Sequence, residues 1–182
     1  DIGGMMTMKT MEIFEDDPNT KAVLLVSKPV GDDVRNKIIN KINNFSKKNY
    51  VICLIGDNEN REDSAKIKFS KSIQTSVLKI LKYVNDDAYK KIKDVVRKQV
   101  DDSIKLAESL SNDLNSEQKF VRGFFAGGTL CYESKIILEQ MIGKVHSNLS
   151  SDDEYSIKGN AASKENTLID FGEEEFTSAR PH

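Results

Sequence analysis

The chain has 182 residues, of which 38% are hydrophobic and 31% are charged, so it is long enough for one ordinary core or two small ones. A net charge of −2 gives no basic excess for nucleic acid, and the longest apolar runs are far shorter than the roughly 20 residues that span a bilayer. The two cysteines lack CxxC spacing, and we expect reduced thiols, no signal peptide or membrane anchor, and a cytoplasmic location.

Residues 5–14 have near-helical spacing of apolar side chains and predict a first helix directly after the glycine pair Gly3-Gly4. The helix should end before Pro18, because proline disfavours helix at the preceding residue. Methionines on a helix commonly fill cores, and we interpret the apolar positions as core residues. These positions are Met5, Met8, Met11 and Phe14.

The next part of the chain predicts a βαβ unit. Residues 21–28 and 50–55 contain the short continuous apolar runs that are typical of buried parallel strands. Between them, residues 33–47 have helical spacing and follow Asp32, a candidate N-cap. A strand, a helix and a strand in this order make parallel neighbours with a right-handed crossover.

The middle of the chain is more polar. Residues 67–69 could form a short edge strand, and Ser70 or Ser72 can cap a helix that reaches Val84. Residues 85–116 have a helical pattern with a thin apolar stripe, and lysines and aspartates alternate along them. We interpret this segment as the solvated face of a packing or linker helix, in preference to a site for an acidic partner.

The second half repeats the alternation of strands and helices. We predict a strand over residues 121–125, a helix over 128–142 and the beginning of a short strand in 143–148. The polar composition of residues 150–166 predicts a mobile loop, and residues 167–171 predict a final strand.

The turn Gly127-Gly128-Thr129 lies between the strand and the helix of this second half. A strand, a tight turn and a helix start leave several N–H groups unpaired beside the positive end of the helix dipole, which favours an anion. The alternative is a turn whose glycines only let the backbone pass close to the sheet. In parallel α/β sheets the working residues lie at the carboxyl ends of strands, so we expect the strand ends at 27–28, 56–57, 127–128 and 172–173 to share one rim.

Two blocks of sequence carry a family resemblance. Residues 122–133, RGFFAGGTLCYE, resemble the strand, turn and helix of the succinyl-CoA synthetase α subunit that begin its phosphate-facing helix. Residues 3–27 are similar to a later helix, aspartate-proline turn and strand of that subunit. The FdrA-like branch of acyl-CoA synthetases is closer still, in residues 127–133 and 169–182. The resemblance implies a flavodoxin-like α/β fold, a parallel sheet with helices on both faces.

The resemblance also implies a division of the chain. Residues 1–84 would be the C-terminal part of a first CoA-ligase module, 85–117 a charged helical connection, and 118–182 the N-terminal part of a second module. We therefore expect the sequence to be a piece of a longer protein.

The function implied is that of an ATP-dependent acyl-CoA synthetase, an acid–thiol ligase. Gly127, Gly128 and Thr129 would hold a phosphoryl group, and Gly3-Gly4 would form a second such turn. The neighbouring strand end would be marked by Asp170 and Gly172, for which a purely structural turn is an equal alternative. ATP, phosphate and CoA are implied by the family alone.

The sequence departs from the family at the phosphoryl carrier. Succinyl-CoA synthetase has a histidine after the strand that corresponds to residues 50–55, whereas residues 56–64 contain none here. We expect His146 to be a packed or half-exposed residue, which leaves His182 as the better catalytic candidate. Cys131 lies at a helix start, which lowers a thiol pKa, but a small apolar residue beneath the turn is the favoured interpretation. Two histidines and two cysteines so dispersed predict no metal cluster.

Two other functions stay open. A subunit of a carbamoyltransferase in oxamate- or allantoin-type nitrogen degradation would need no phosphohistidine, and a non-catalytic scaffold subunit would need no chemistry at all. The expected partners are a small-molecule acid or a carbamoyl or acyl phosphate, other modules of the parent chain and possible partner subunits, with no nucleic acid and no membrane.

Overall fold

Two separate three-stranded sheets, both wholly parallel, organise the computed structural model of this protein. The structure describes residues 2–28, 30–57, 61–158 and 162–178. The chain divides into two units, Asp1–Ala107 and Glu108–His182. The α/β class and the parallel strand arrangement predicted from the sequence are confirmed at that level.

The first unit has the strand order β1-β2-β3. A turn over Ile2–Gly4 precedes its first helix. Its elements are α1 (Met5–Asp16), β1 (Ala22–Ser27), α2 (Asp32–Asn43), β2 (Asn49–Leu54), β3 (Ile67–Ser70), α3 (Ile73–Val84) and α4 (Asp86–Ser111), the last of which continues past the boundary between the units.

Strand β2 lies at the centre of this unit and carries its core. Tyr50, Ile52 and Leu54 pack with residues of α1 and α2 in one apolar cluster. The alternate residues Val51 and Cys53 point to the opposite face and are also fully buried. Helix α3 contacts all three strands and contributes nothing to the first cluster, so it covers that opposite face. The first sheet therefore has helices on both faces.

The predicted core face of α1 is partly wrong. Met11 is buried and Met8 packs against the core, but Met5 is 65% exposed and Phe14 is 41% exposed. Met8, Met11 and Glu15 are spaced by three and four residues, which keeps them on one helical face, whereas a strict period of three drifts off it. Glu15, a charged residue, occupies the position that completes this face, with 4% exposure.

The limits of α2 also differ from the prediction. Gly31 is the N-cap and Asp32 is the first helical residue, where its carboxylate pairs with Arg35 at 2.8 Å. The helix ends at Asn43 and does not continue to residue 47, because the backbone N–H groups of Ser46 and Lys47 donate to Glu15 instead of to helical carbonyl groups.

The remaining elements of the first unit lie close to their predicted positions, except that α4 ends at Ser111 and not at residue 116. Strand β3 is an edge strand, and Ser72 is the N-cap of α3, its hydroxyl accepting a hydrogen bond from the Thr75 N–H at 3.2 Å. No residue of α4 is buried, and its apolar stripe is largely exposed, with Val100 at 48% and Ile104 at 52%.

The second unit has the strand order β4-β6-β5. Its elements are β4 (Arg122–Phe125), α5 (Gly128–Ile142), β5 (His146–Ser147), β6 (Thr167–Asp170) and α6 (Glu174–Thr177). Helix α5 packs on one face through Cys131, with Val145 and Leu168. On the opposite face the ring of Phe124 stacks on Phe171 but remains 70% exposed.

The polar segment predicted as a mobile loop is partly built into this unit. Ile157 is 4% exposed, and its N–H donates to the Ser147 carbonyl at 3.2 Å. Ser147 and Ser156 form a parallel bridge. In the described ranges of the whole chain, no helix combines the length and the apolar character needed to cross a membrane.

Candidate phosphate site at a sheet edge

The turns that follow β4 and β6 lie side by side at the carboxyl edge of the second sheet. Phe125 and Asp170 are register partners at the ends of these parallel strands. The pairing continues one residue further, where the Phe171 N–H donates to the Phe125 carbonyl at 2.8 Å. The residues after each strand, from Ala126 and from Phe171, therefore leave the sheet next to each other.

The N-terminus of α5 opens onto this edge with unused donors. Gly127 is the N-cap residue, and its carbonyl accepts the Cys131 N–H at 3.1 Å. As a glycine it has no side chain to accept a hydrogen bond from the first turn of the helix. Within the described part of the chain, the N–H groups of Gly128, Thr129 and Leu130 donate to no protein acceptor. Such N–H groups and the helix dipole together attract an anion, and the exposed Thr129 can add its hydroxyl.

The glycines of the two turns have different roles. Gly127 has φ −169°, an extended conformation open to any residue, and a Cβ there would meet no atom within 4 Å. Gly172 lies where the two turns touch, since a Cβ there would be 3.1 Å from the Asp170 carboxylate and 3.7 Å from the Ala126 backbone. Glycine at position 172 thus allows the two turns to lie close together, whereas the space beside Gly127 is open.

Asp170 holds the second turn in place. It is 2% exposed, and its Oδ1 accepts the Gly172 N–H at 2.9 Å. Asn148, at the end of β5, donates from its side-chain amide to the Asp170 carbonyl at 2.8 Å and accepts the Asp170 N–H at 2.9 Å. Sequence reasoning missed the role of Asn148, which lies within the segment 143–148 that predicts the beginning of a strand.

A cavity of about 510 Å³ lies beyond Asn148 on the same edge. Its wall is acidic, with Asp153 and Glu173–Glu175 set against Lys158. Acidic side chains repel a polyanion, so this edge suits a single phosphoryl group better than an uncompensated chain of phosphates. Among the described residues, no group of three or more histidine, cysteine or acidic side chains is arranged to hold a metal ion.

Cys131 and His146 are both enclosed. Cys131 is fully buried and packs against Leu168, which fits a small apolar residue beneath the turn. His146 is 9% exposed and its ring lies 5.2 Å from that of Tyr155, so the prediction of a packed histidine is confirmed. The other candidate, His182, lies outside the described residues.

The predicted second glycine turn belongs to the first unit. Gly3 and Gly4 have φ values of 64° and 71°, and Gly4 is the N-cap of α1. Gly4 is buried, and a Cβ there would come within 2.8 Å of the Val34 side chain at the start of α2. Close packing of two helix starts accounts for Gly4, and only Gly3 faces open space.

Comparison with known proteins gives no functional assignment. No protein-family model matches the chain. The chain is 30% identical over 185 residues to the uncharacterized protein YahF of Escherichia coli (strain K12), a match that covers 100% of this chain. It spans about a third of the length of that relative, 34%.

The structure brings together five of the predicted site residues: Gly127, Gly128, Thr129, Asp170 and Gly172. The contact at Gly172 and the register of Asp170 with Phe125 place them on one edge. Gly3 and Gly4 are in the other unit. The observed arrangement can bind a small anion through backbone groups, and it presents no accessible histidine at the turn within the described residues.

Proposed function

We propose that this chain is part of an ATP-dependent acyl-CoA synthetase of the succinyl-CoA synthetase type, with a flavodoxin-like fold, and that the N-terminus of α5 binds the phosphoryl group. One observation carries the proposal: the open N–H groups of Gly128, Thr129 and Leu130 lie at the edge where the turns of β4 and β6 meet. Donors fixed in advance in this way stabilise charge that develops during phosphoryl transfer.

The role of this site is binding and orientation. The turn after β6, held by Asp170, would form the neighbouring wall of the phosphoryl site. ATP and CoA supply the phosphoryl and thioester chemistry of the proposed reaction, and CoA binding belongs to segments other than this edge. A cytoplasmic location is part of the proposal, and neither Cys53 nor Cys131 is in a disulfide.

A second candidate, carbamoyl transfer, is favoured by two features. Residues 56–64, after β2, include no histidine that could carry a phosphoryl group. The acidic wall beside Glu173 favours a ligand with one phosphate, such as carbamoyl phosphate, over a nucleoside triphosphate. A non-catalytic scaffold role is the third candidate, and the experiments below separate it from both.

The site is tested by substituting Gly127 with valine. The extended backbone accepts a β-branched residue and a Cβ has room, so the fold should be retained. The added side chain would occupy the space above the N–H groups, and we expect inorganic phosphate and acetyl phosphate to bind about tenfold more weakly, a loss of about 1.4 kcal/mol. Phosphorus NMR titration of the 182-residue chain measures this effect.

Gly31→Val is the matched control. Gly31 is also the N-cap of a helix, and a Cβ there also meets no atom within 4 Å, but it belongs to the first unit. It should leave phosphate affinity unchanged. Equal affinity in the Gly127→Val variant and the unmodified chain would overturn the phosphate site.

The reaction is tested in the full-length protein. Nucleotide turnover that depends on both a carboxylic acid and CoA supports the ligase, whereas phosphorolysis or transfer from carbamoyl phosphate supports the second candidate. If the full-length protein shows neither activity but still binds phosphate, the scaffold role is the remaining candidate. Absence of acid- and CoA-dependent turnover across a panel of acids contradicts the ligase proposal.

A further inference from the structure

A lysine-rich cavity in the first unit lies apart from the glycine turns. It has a volume of about 610 Å³, within the roughly 300–1,000 Å³ that is usual for small-molecule sites. Residues of the edge strand β3, of α3 and of α4 line it together with Asp63, which precedes β3, and all of them belong to the first unit. Its lysines are Lys68, Lys79, Lys82 and Lys93, and its aromatic residues are Tyr83 and Tyr89.

The charge of this cavity is strongly unbalanced. Four lysines line it against one carboxylate, that of Asp63. Lys68 and Lys79 lie 3.9 Å and 3.6 Å from that carboxylate, which also accepts the Phe69 N–H at 2.9 Å. Asp63 is thus fixed and shared by two lysines, and their combined charge still exceeds its own.

The other two lysines supply the excess charge. In the described residues, neither Lys82 nor Lys93 has a carboxylate within ion-pair distance. Lys93 lies 5.9 Å from the centre of the Tyr89 ring, a cation–π contact that holds its ammonium group beside the cavity. Two ammonium groups at the mouth of a cleft can bind a phosphate or a carboxylate as point charges.

The body of the cavity is apolar and aromatic. Leu78 and the partly buried rings of Tyr83 and Tyr89 contribute to its wall. Burial, together with the nearby charge of Asp63, raises the pKa of Tyr83, so its hydroxyl remains a neutral donor at physiological pH. Tyrosine rings bind planar rings by stacking and offer a hydroxyl for orientation.

We propose that this cavity binds a small organic phosphate with an aromatic ring, of the nucleoside monophosphate class. The ring would pack against Tyr83, Tyr89 and Leu78, and the phosphate would lie between Lys82 and Lys93. The site is in a different unit from the α5 turn and does not depend on the proposed ligase function.

The proposal is tested by calorimetric titration of the 182-residue chain with adenosine monophosphate, adenosine and ribose 5-phosphate. Because the site combines a ring pocket with two positive charges, adenosine monophosphate should bind at least about tenfold more tightly than either part alone. Its affinity should fall as salt is added, since the lysines are solvent-accessible. Equal binding of ribose 5-phosphate would contradict the ring pocket.

The double substitution Lys82→Gln and Lys93→Gln should weaken binding of adenosine monophosphate about tenfold or more. Lys90→Gln is the matched control, because Lys90 is also on α4 but pairs with Asp86 at 2.7 Å and does not line the cavity. Gly127→Val should have no effect on this titration. Binding that survives the double substitution, or no binding of adenosine monophosphate at millimolar concentration, would overturn the site, and tighter binding of an acidic peptide than of the nucleotide would overturn the ligand class.

Discussion

Replacing Gly4 with alanine is expected to lower the free energy of unfolding of the first unit by about 3 kcal/mol. A left-handed conformation costs a residue with a Cβ about 1–2 kcal/mol, and Gly4 has φ 71°. Its new methyl group would also lie 2.8 Å from the Val34 Cγ1 atom, and overpacking of this kind costs about 1–3 kcal/mol. Urea denaturation of the 182-residue chain, with hydrogen exchange read separately in the two units, measures the loss.

Gly3→Ala separates the two costs. Gly3 has nearly the same backbone, with φ 64°, but a Cβ there meets no atom within 4 Å. It should lose only about 1 kcal/mol, the conformational part. Val34→Ala, combined with Gly4→Ala, should recover part of the additional loss, since it removes the atom that the new methyl group meets. If Gly3→Ala and Gly4→Ala are equally destabilising, the contact with Val34 does not contribute.

This comparison also bears on the second glycine turn as an anion site. Any loss of ligand binding in a Gly4 variant would include displacement of α1 from α2, so Gly4 cannot report on a ligand by itself. Gly3 can, because its surroundings are open. The α5 turn is better placed for such a test, since Gly127 has neither a positive φ nor a close neighbour.

The sequence predicted the elements of the fold well where composition changes sharply. Helix α5 was predicted with its observed limits because glycines precede and follow it, and β2 within one residue because its apolar run is bounded by polar residues. The face of α1 was harder. Methionines at a spacing of three residues suggested one stripe, whereas the contact with the core selects Met8, Met11 and Glu15.

The placement of Gly127 and Gly172 on one edge was predictable, because the carboxyl ends of parallel strands in a sheet lie at the same edge. The prediction that Gly56 shares this edge is wrong, because β2 belongs to the other sheet. The link between Asn148 and Asp170 was not predictable, since it joins residues 22 positions apart through side-chain and backbone groups. The lysine cavity was missed for a similar reason. The charge pattern of residues 85–116 indicates a solvated face, and only the folded structure shows that Lys93 lines one cavity with Lys82.

Glu15 is the clearest case of a residue whose role depends on tertiary contacts. Its carboxylate is buried at the start of β2, where Oε1 accepts the backbone N–H groups of Ser46 and Lys47 and Oε2 accepts the Tyr50 hydroxyl at 2.8 Å. These donors are 31 to 35 residues away in the sequence. Polar groups buried in this way are stable only when their partners are present.

Substituting Glu15 with alanine is therefore expected to lower the free energy of unfolding by about 3 kcal/mol, because the buried Tyr50 hydroxyl and two part-buried backbone N–H groups would lose their acceptor. Glu15→Gln retains an acceptor oxygen and should lose about half as much. Asp16→Asn is the control: Asp16 is on the same helix but is 75% exposed, and its pairing with Lys47 contributes little. Urea denaturation at neutral pH compares the three variants, and a loss from Asp16→Asn as large as that from Glu15→Ala would contradict this role.

The same contacts predict how stability depends on pH. Burial alone would raise the pKa of Glu15, but the hydrogen bonds from Lys47, Tyr50 and Ser46, with the charge of Lys66, outweigh it and hold the pKa below its usual value of 4.5. A carboxylate whose pKa is lowered by folding stabilises the protein above the unfolded pKa, and this contribution is lost as the pH falls through the folded pKa.

The difference in unfolding free energy between the unmodified chain and Glu15→Gln should therefore be constant above about pH 5 and shrink below pH 4.5. Glu12 and Asp17 also have lowered pKa values. Both residues are present in the unmodified chain and in Glu15→Gln, so the difference in unfolding free energy reports the titration of Glu15 alone. A difference that stays constant down to the acid unfolding transition would show that the carboxylate is not stabilised in its charged form.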